Sequence, residues 1–134
     1  NSNRILMKTT EINAINDWSQ LWTNGLRDAL KKGNNNTDVG EHLVFENDDI
    51  KVWTIRLQAK QTLPFHKHDK PYIYIAQSEG ESRSFYNDGK VMETIYGKGD
   101  TKHFWDLSEE NYFIHNLENV GSTTLLFTTI EFKN

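Results

Sequence analysis

Two histidines stand one residue apart in the stretch PFHKHDKPYIYIAQSEG, residues 64–80. If that stretch is extended, His66 and His68 project from the same face, because strand side chains alternate with a period of two. Two imidazoles on one face make half of a metal site. An H-x-H pair arises readily by chance, so the pair alone is a weak signal. His115, in NYFIHNLEN, supplies a third candidate from a strand late in the chain. In an antiparallel barrel such a strand can lie beside the first. Three histidines with open positions would suit one divalent transition metal, Fe, Zn, Ni, Mn or Cu. The chain has no cysteine, so a metal must rest on His, Asp, Glu or Tyr. The plainer alternative makes His66 and His68 ordinary turn or surface residues beside Lys67, Asp69 and Lys70.

These residues need a scaffold. The 134 residues suit one domain with one core. Trp18, Leu21, Trp22, Leu26 and Leu30 recur at spacings of three and four, which predicts a helix over 10–32. Thr10 or Asn13 would cap its start, and Lys31, Lys32 and Gly33 would end it. The two tryptophans are expected to pack on the body of the domain. Residues 33–41 read as a loop, and beyond it the period changes to two. Strands are expected at 52–58, 72–78, 82–86, 90–96, 101–105, 111–117 and 123–132, and Asn87-Asp88-Gly89 is a strong hairpin turn. Seven or more short strands with regular turn signals mean an antiparallel sandwich or barrel. Such a barrel can hold a small ligand inside. The expected organisation is an N-terminal helix and loop over 1–41, packed on the barrel or on a second subunit, and a β-barrel over 42–134.

Composition narrows the partners. The formal net charge is −4, and no basic block exceeds Lys31-Lys32, which argues against a nucleic-acid surface. No apolar run approaches the ~20 residues of a membrane span. The absence of cysteine fits a reducing cytoplasm. The opening residues NSNRILMKTT show no signal-peptide pattern. Either Met7 is the natural start with extra residues before it, or a segment upstream was removed.

Most of the chain, about residues 42 to 132, resembles the cupin superfamily of small β-barrels. Its first motif matches His66-Lys67-His68, followed by Glu79-Gly80. Its second matches Gly99-Asp100, His115 and, after three residues, Asn119. Small stand-alone cupins are most similar, through Phe65-His66-Lys67-His68, Gly99-Asp100-Thr101 and the closing run Leu126 to Phe132. The resemblance implies an all-β cupin (jelly-roll) barrel with one N-terminal α-helix, a metal held by His66, His68 and His115, and a homodimer. Two departures stand out. The carboxylate of the first motif is absent, its place taken by Tyr72 or Ile73. The P-x-G of the second is replaced by the longer WDLSEENYFI.

The expected function is a metal-dependent enzyme acting on a small polar metabolite, an oxygenase among the activities that a three-His centre supports. Tyr72 would ligate the metal or donate a hydrogen bond to substrate, unless it is a barrel tyrosine with its hydroxyl near solvent. His103 would serve as an acid–base group near the barrel mouth, unless it faces solvent. Arg56 would pair with a substrate carboxylate if its face of the strand lines the interior, and would otherwise be an outer-face ion-pair partner. Tyr74 and Phe113 would line the pocket wall, and His42 is expected at the surface. The competing expectations are a non-catalytic cupin that binds a small molecule or metal, and a metal-free barrel kept as an interaction module.

Overall fold

The structure, a computed structural model, describes residues 7–134. Ten strands and one helix follow in the order β1 (Lys8–Asn13), α1 (Asn24–Gly33), β2 (His42–Glu46), β3 (Ile50–Leu57), β4 (Thr62–His68), β5 (Tyr72–Ala76), β6 (Gly80–Phe85), β7 (Val91–Tyr96), β8 (Thr101–Phe104), β9 (Phe113–Asn119) and β10 (Leu125–Phe132). They form two five-stranded sheets, β1-β7-β6-β9-β4 and β2-β3-β10-β5-β8. All pairings are antiparallel. The expected all-β jelly-roll architecture with one helix is what forms.

The helix is shorter than its periodicity predicts. Residues 10–13 belong to β1, where Thr9 sits opposite Thr94 with their hydroxyls 3.1 Å apart. Asn13 then stops any continuation. Its buried amide donates to the carbonyls of Asp17 (2.7 Å) and Gly89 (2.8 Å), and Asn16 adopts φ +68°. The helix begins only after Thr23, whose hydroxyl accepts from the Leu26 amide at 3.1 Å as an N-cap. Lys31, Lys32 and Gly33 do end it. Trp18 and Trp22 therefore lie in a loop, and their helical spacing to Leu26 and Leu30 comes from a shared apolar target. That target is the outer face of the first sheet, where Trp22, Phe65, Phe85, Val91 and Ile114 form one core cluster with Trp18, Leu21, Leu26 and Leu30 against it.

The second core lies between the sheets. Ile55, Leu57, Leu63, Ala76, Tyr96, Leu117, Leu125 and Phe127 fill it. The Asn87-Asp88-Gly89 turn joins β6 to β7 as expected, with Gly89 at φ +95°, a conformation that costs glycine little. The start of the barrel was less legible. β2 precedes the first strand expected from the alternation, and carries the exposed His42. The loop after α1 is tied down by Lys67 N–H to the Asn36 carbonyl (2.7 Å) and by the Asn36 amide to the Phe65 carbonyl (2.9 Å). That loop tucks Val39 into the interior, 1% exposed. Among the described residues no helix is long and apolar enough to cross a membrane.

Candidate metal centre

An irregularity in β4 aims the histidines. The register between β4 and β9 shifts between Leu63 and His66, at Pro64, which cannot donate to a ladder and is at home in a bulge. Leu63 joins the inter-sheet core and Phe65 joins the outer cluster, although strict alternation would put both on one face. The extra residue resets the phase, so His66 and His68 point inward. His66 sits directly opposite His115 on β9, and adjacent strands on one face bring side chains into contact.

The three rings form a near-equilateral triangle. Ring centroids are 4.9 Å apart for His66–His68, 4.7 Å for His66–His115 and 5.0 Å for His68–His115. One nitrogen from each lies within 4.8 Å of the others. Bonds of ~2.1 Å to a shared ion would set such nitrogens about 3–3.5 Å apart.

Their electrostatics suit ligands. Burial pushes the His66 pKa down to about 4, although the Pro64 carbonyl, 2.8 Å from Nδ1, pulls the other way. That contact fixes the tautomer with the proton on Nδ1 and leaves the Nε2 lone pair free. Burial also holds His68 well below the ordinary imidazole range, with His66 and His115 adding to it. His115 is lowered likewise by burial, then by His66 and Lys90. Neutral imidazole is the form that binds a metal. The Nδ1 atoms of His68 and His115 are buried and have no hydrogen-bond partner. Such atoms normally cost stability and call for a partner. A cluster of neutral, partly unsatisfied imidazoles around one point fits a transition-metal ion.

The triad opens on an interior cavity of about 80 Å³. Tyr72 and Tyr74 from β5, Tyr86, Tyr96 from β7, and Lys102 and Phe104 from β8 contribute to its wall. Tyr72 is buried, so its near-solvent alternative does not hold. Its ring stacks on His68 at 4.1 Å and 19°, and on Phe104 at 4.7 Å and 13°. Burial holds its phenol well above the ordinary value, with smaller contributions from Tyr86, Tyr74 and Tyr96. Tyr72 is thus a neutral hydroxyl within the cavity wall. Tyr74 lines the wall as expected. Phe113 packs on His115 (4.9 Å) and His68 (5.0 Å) from behind.

The other two candidates lie elsewhere. Arg56 is exposed, while its neighbours Ile55 and Leu57 point into the core. His103 is exposed too, and packs against Trp105 at 5.2 Å. β8 is only four residues long, so its phase comes from its partner. Tyr72 faces Phe104 and Tyr74 faces Lys102 in register, which turns those two inward and His103 outward with Ile73. Asn119, matched by the second motif, is fully buried and structural. Its amide donates to the Leu57 and Thr123 carbonyls (2.9 and 2.8 Å), and its Oδ1 accepts from Gly121 N–H at 3.0 Å.

The residues missed from the sequence follow one rule. On the first sheet the usual alternation is inverted. Phe85, Val91 and Ile114 face the helix layer, and Ser84, Tyr86, Met92 and Thr94 face the cavity. Reading SRSFY and KVMETIY with the apolar residues outward would have found them. Glu131 was also missed. It is buried on β10, in register with Tyr72, and Trp53 Nε1–H donates to it at 3.4 Å. Burial raises its pKa, against the opposing pull of Trp53. It lies neither in the histidine cluster nor on the cavity wall.

No protein-family model matches the chain, and no curated protein matches it. Solved structures do match in fold. A cupin domain from Bordetella pertussis Tohama I superposes with a TM-score of 0.59 at 20% identity, over 69% of this chain and 91% of that one. A protein with a double-stranded β-helix domain from Klebsiella pneumoniae gives 0.54 at 17% identity, over 77% and 85%. A cupin superfamily protein from Desulfitobacterium hafniense gives 0.50 at 12% identity, over 69% and 75%. Taken with the paired five-stranded sheets and the inward histidines, these likenesses identify the chain as a small domain of the cupin, or double-stranded β-helix, fold.

Proposed function

We propose that this domain is a metal-dependent enzyme that acts on a small polar metabolite through His66, His68 and His115. One observation carries the proposal: the imidazoles of buried His66 and His68 and part-buried His115 converge, with one nitrogen of each within 4.8 Å of the others, at the wall of an interior cavity. A bound divalent metal would supply Lewis acidity and open positions for O₂ or water. The chain's own residues do the rest. His66 is oriented by the Pro64 carbonyl, and His68 is held flat between Tyr72 and Phe113. Tyr72 and Tyr86 place phenols on the cavity wall that can hydrogen-bond a polar ligand, and Val39 adds an apolar surface to that wall. An oxygenase is the finer form of this proposal.

A second reading, a cupin that binds a small molecule or metal without turnover, is favoured by a different observation. Among the described residues no Asp or Glu lines the cavity, and burial holds its tyrosines above the ordinary phenol range, so the wall offers no carboxylate or phenolate as a general base.

The experiment is metal content by plasma mass spectrometry on untagged protein, beside the double variant His66→Ala, His115→Ala. Near one equivalent of a transition metal is expected in the wild type and none in the variant. Oxygen uptake with small metabolites then separates enzyme from binder. Absence of metal from both proteins after reconstitution with Fe²⁺, Zn²⁺, Ni²⁺ and Mn²⁺ would overturn the metalloenzyme reading.

The homodimer and the cytoplasmic location belong with these proposals. The edge strand β2 supports the first, since Leu43, Val44 and Phe45 are 44%, 57% and 52% exposed, and bare apolar edges invite a second strand. Light scattering of wild type beside Phe45→Lys tests it, and a monomeric wild type would rule it out.

A further inference from the structure

The charges around the cavity do not balance. Among the described residues, the wall carries three imidazoles, phenols and hydroxyls held neutral, and a single charged side chain, Lys102. Lys102 is half-buried, lies 5.2 Å from the centre of the Phe104 ring, and forms no ion pair among the described residues. Two carboxylates are buried elsewhere in the fold, Glu131, to which Trp53 donates, and Asp100, which accepts from Gly97 N–H at 2.6 Å, and neither lines the cavity. A divalent ion on this triad would therefore share the cavity with an ammonium and with no negative group among its lining residues. Buried charge of one sign is costly unless it is paired.

We infer that the missing negative charge is supplied by the ligand, and that the site selects a small carboxylate anion, with Lys102 as its specificity-determining residue. This rests on the metal reading proposed above. Size narrows the class. A cavity of about 80 Å³, at ~10–15 Å³ for each water-sized occupant, holds about five to eight such positions. That fits a carboxylate of about two to four carbons. The ligand's second polar group would meet the metal's open positions, and its hydrocarbon part the faces of Phe104 and Tyr74.

The test uses cobalt-loaded full-length protein, whose visible spectrum reports on metal coordination, with calorimetry for affinity. Pyruvate is compared with 2,3-butanedione, which is neutral and has the same number of heavy atoms. Pyruvate is expected to bind about tenfold tighter or better, as a charge-assisted contact provides, and to shift the cobalt bands. Lys102→Met should lose about tenfold in pyruvate affinity, with cobalt content and butanedione binding unchanged. Lys102→Gln serves if the methionine variant does not fold. Equal binding of the two probes, or pyruvate binding indifferent to Lys102, overturns the inference while leaving the metal reading intact. If the wild type takes up no cobalt, the metal reading has failed by itself. Pyruvate is then titrated onto metal-free protein, where Lys102-dependent binding supports the anion site and its absence overturns it.

Discussion

Strands β4 and β9 present two opposite faces, and the two differ in nearly every physical respect. Outward, Phe65 and Ile114 meet Trp22 in an apolar layer closed by the helix. Trp22 stacks near Phe65 at 6.1 Å, meets Phe85 edge-on at 5.1 Å, and its indole N–H donates to the Gly89 carbonyl at 2.8 Å. The polar group of Trp22 is thereby satisfied within the protein. Inward, His68 and His115 keep buried nitrogens without partners. The outer face is built to hold the fold. The inner face leaves stabilisation unrealised, as a site does when its complement comes from outside.

The contrast breaks most easily from the outside. Trp22→Ala should cost about 3–5 kcal/mol of stability, the range for truncating a buried aromatic, and denaturant unfolding of the metal-free protein measures it. A cost near zero would mean that the helix layer is an accessory.

Acid should attack the inner face next. The triad is neutral when folded but takes up protons when unfolded. Below about pH 6.5 the unfolded chain therefore binds more protons, and stability falls as pH drops from there toward about 4, the His66 value. His66 alone contributes of order 3 kcal/mol to that loss. Urea midpoints from pH 7.5 to 4.5 follow it, and a variant with all three histidines replaced by leucine should lose most of the slope. An unchanged slope would show that the imidazoles are not buried neutral.

The smallest effect sharpens the comparison most. His68→Leu removes an unsatisfied nitrogen, so the metal-free variant should be as stable as the wild type or about 1 kcal/mol more stable. The same change should abolish stoichiometric metal uptake. A destabilisation of several kcal/mol would place His68 with the structural residues.

Much of this was visible in the residues themselves. Seven strands and the Asn87-Asp88-Gly89 hairpin come from local periodicity and turn chemistry, which neighbouring residues determine, and the His66/His68/His115 trio from the strand pattern together with the cupin resemblance. The helix start was not visible. Trp18 and Trp22 keep helical spacing while a turn at Asn13 and Asn16 intervenes, and contacts with Asp88 and Gly89, far along the chain, help to hold that turn. The same limit applied to the site. His103 and Lys102 are neighbours in a four-residue strand, and nothing local says which one faces inward.

The amino-acid sequence by itself determined the strands and their turns and narrowed the candidate ligands: alternation makes strands, Asp-Gly makes a hairpin, and a chain without cysteine leaves His, Asp, Glu and Tyr as ligand types. Tertiary structure alone decided which side chains share the cavity. A bulge at Pro64 reset the phase of β4, pairing with β5 set the phase of β8, and the helix layer turned the apolar residues of the first sheet outward. Strand side chains repeat every two residues, so a slip of one reverses inside and outside. That phase is set by partners distant in sequence.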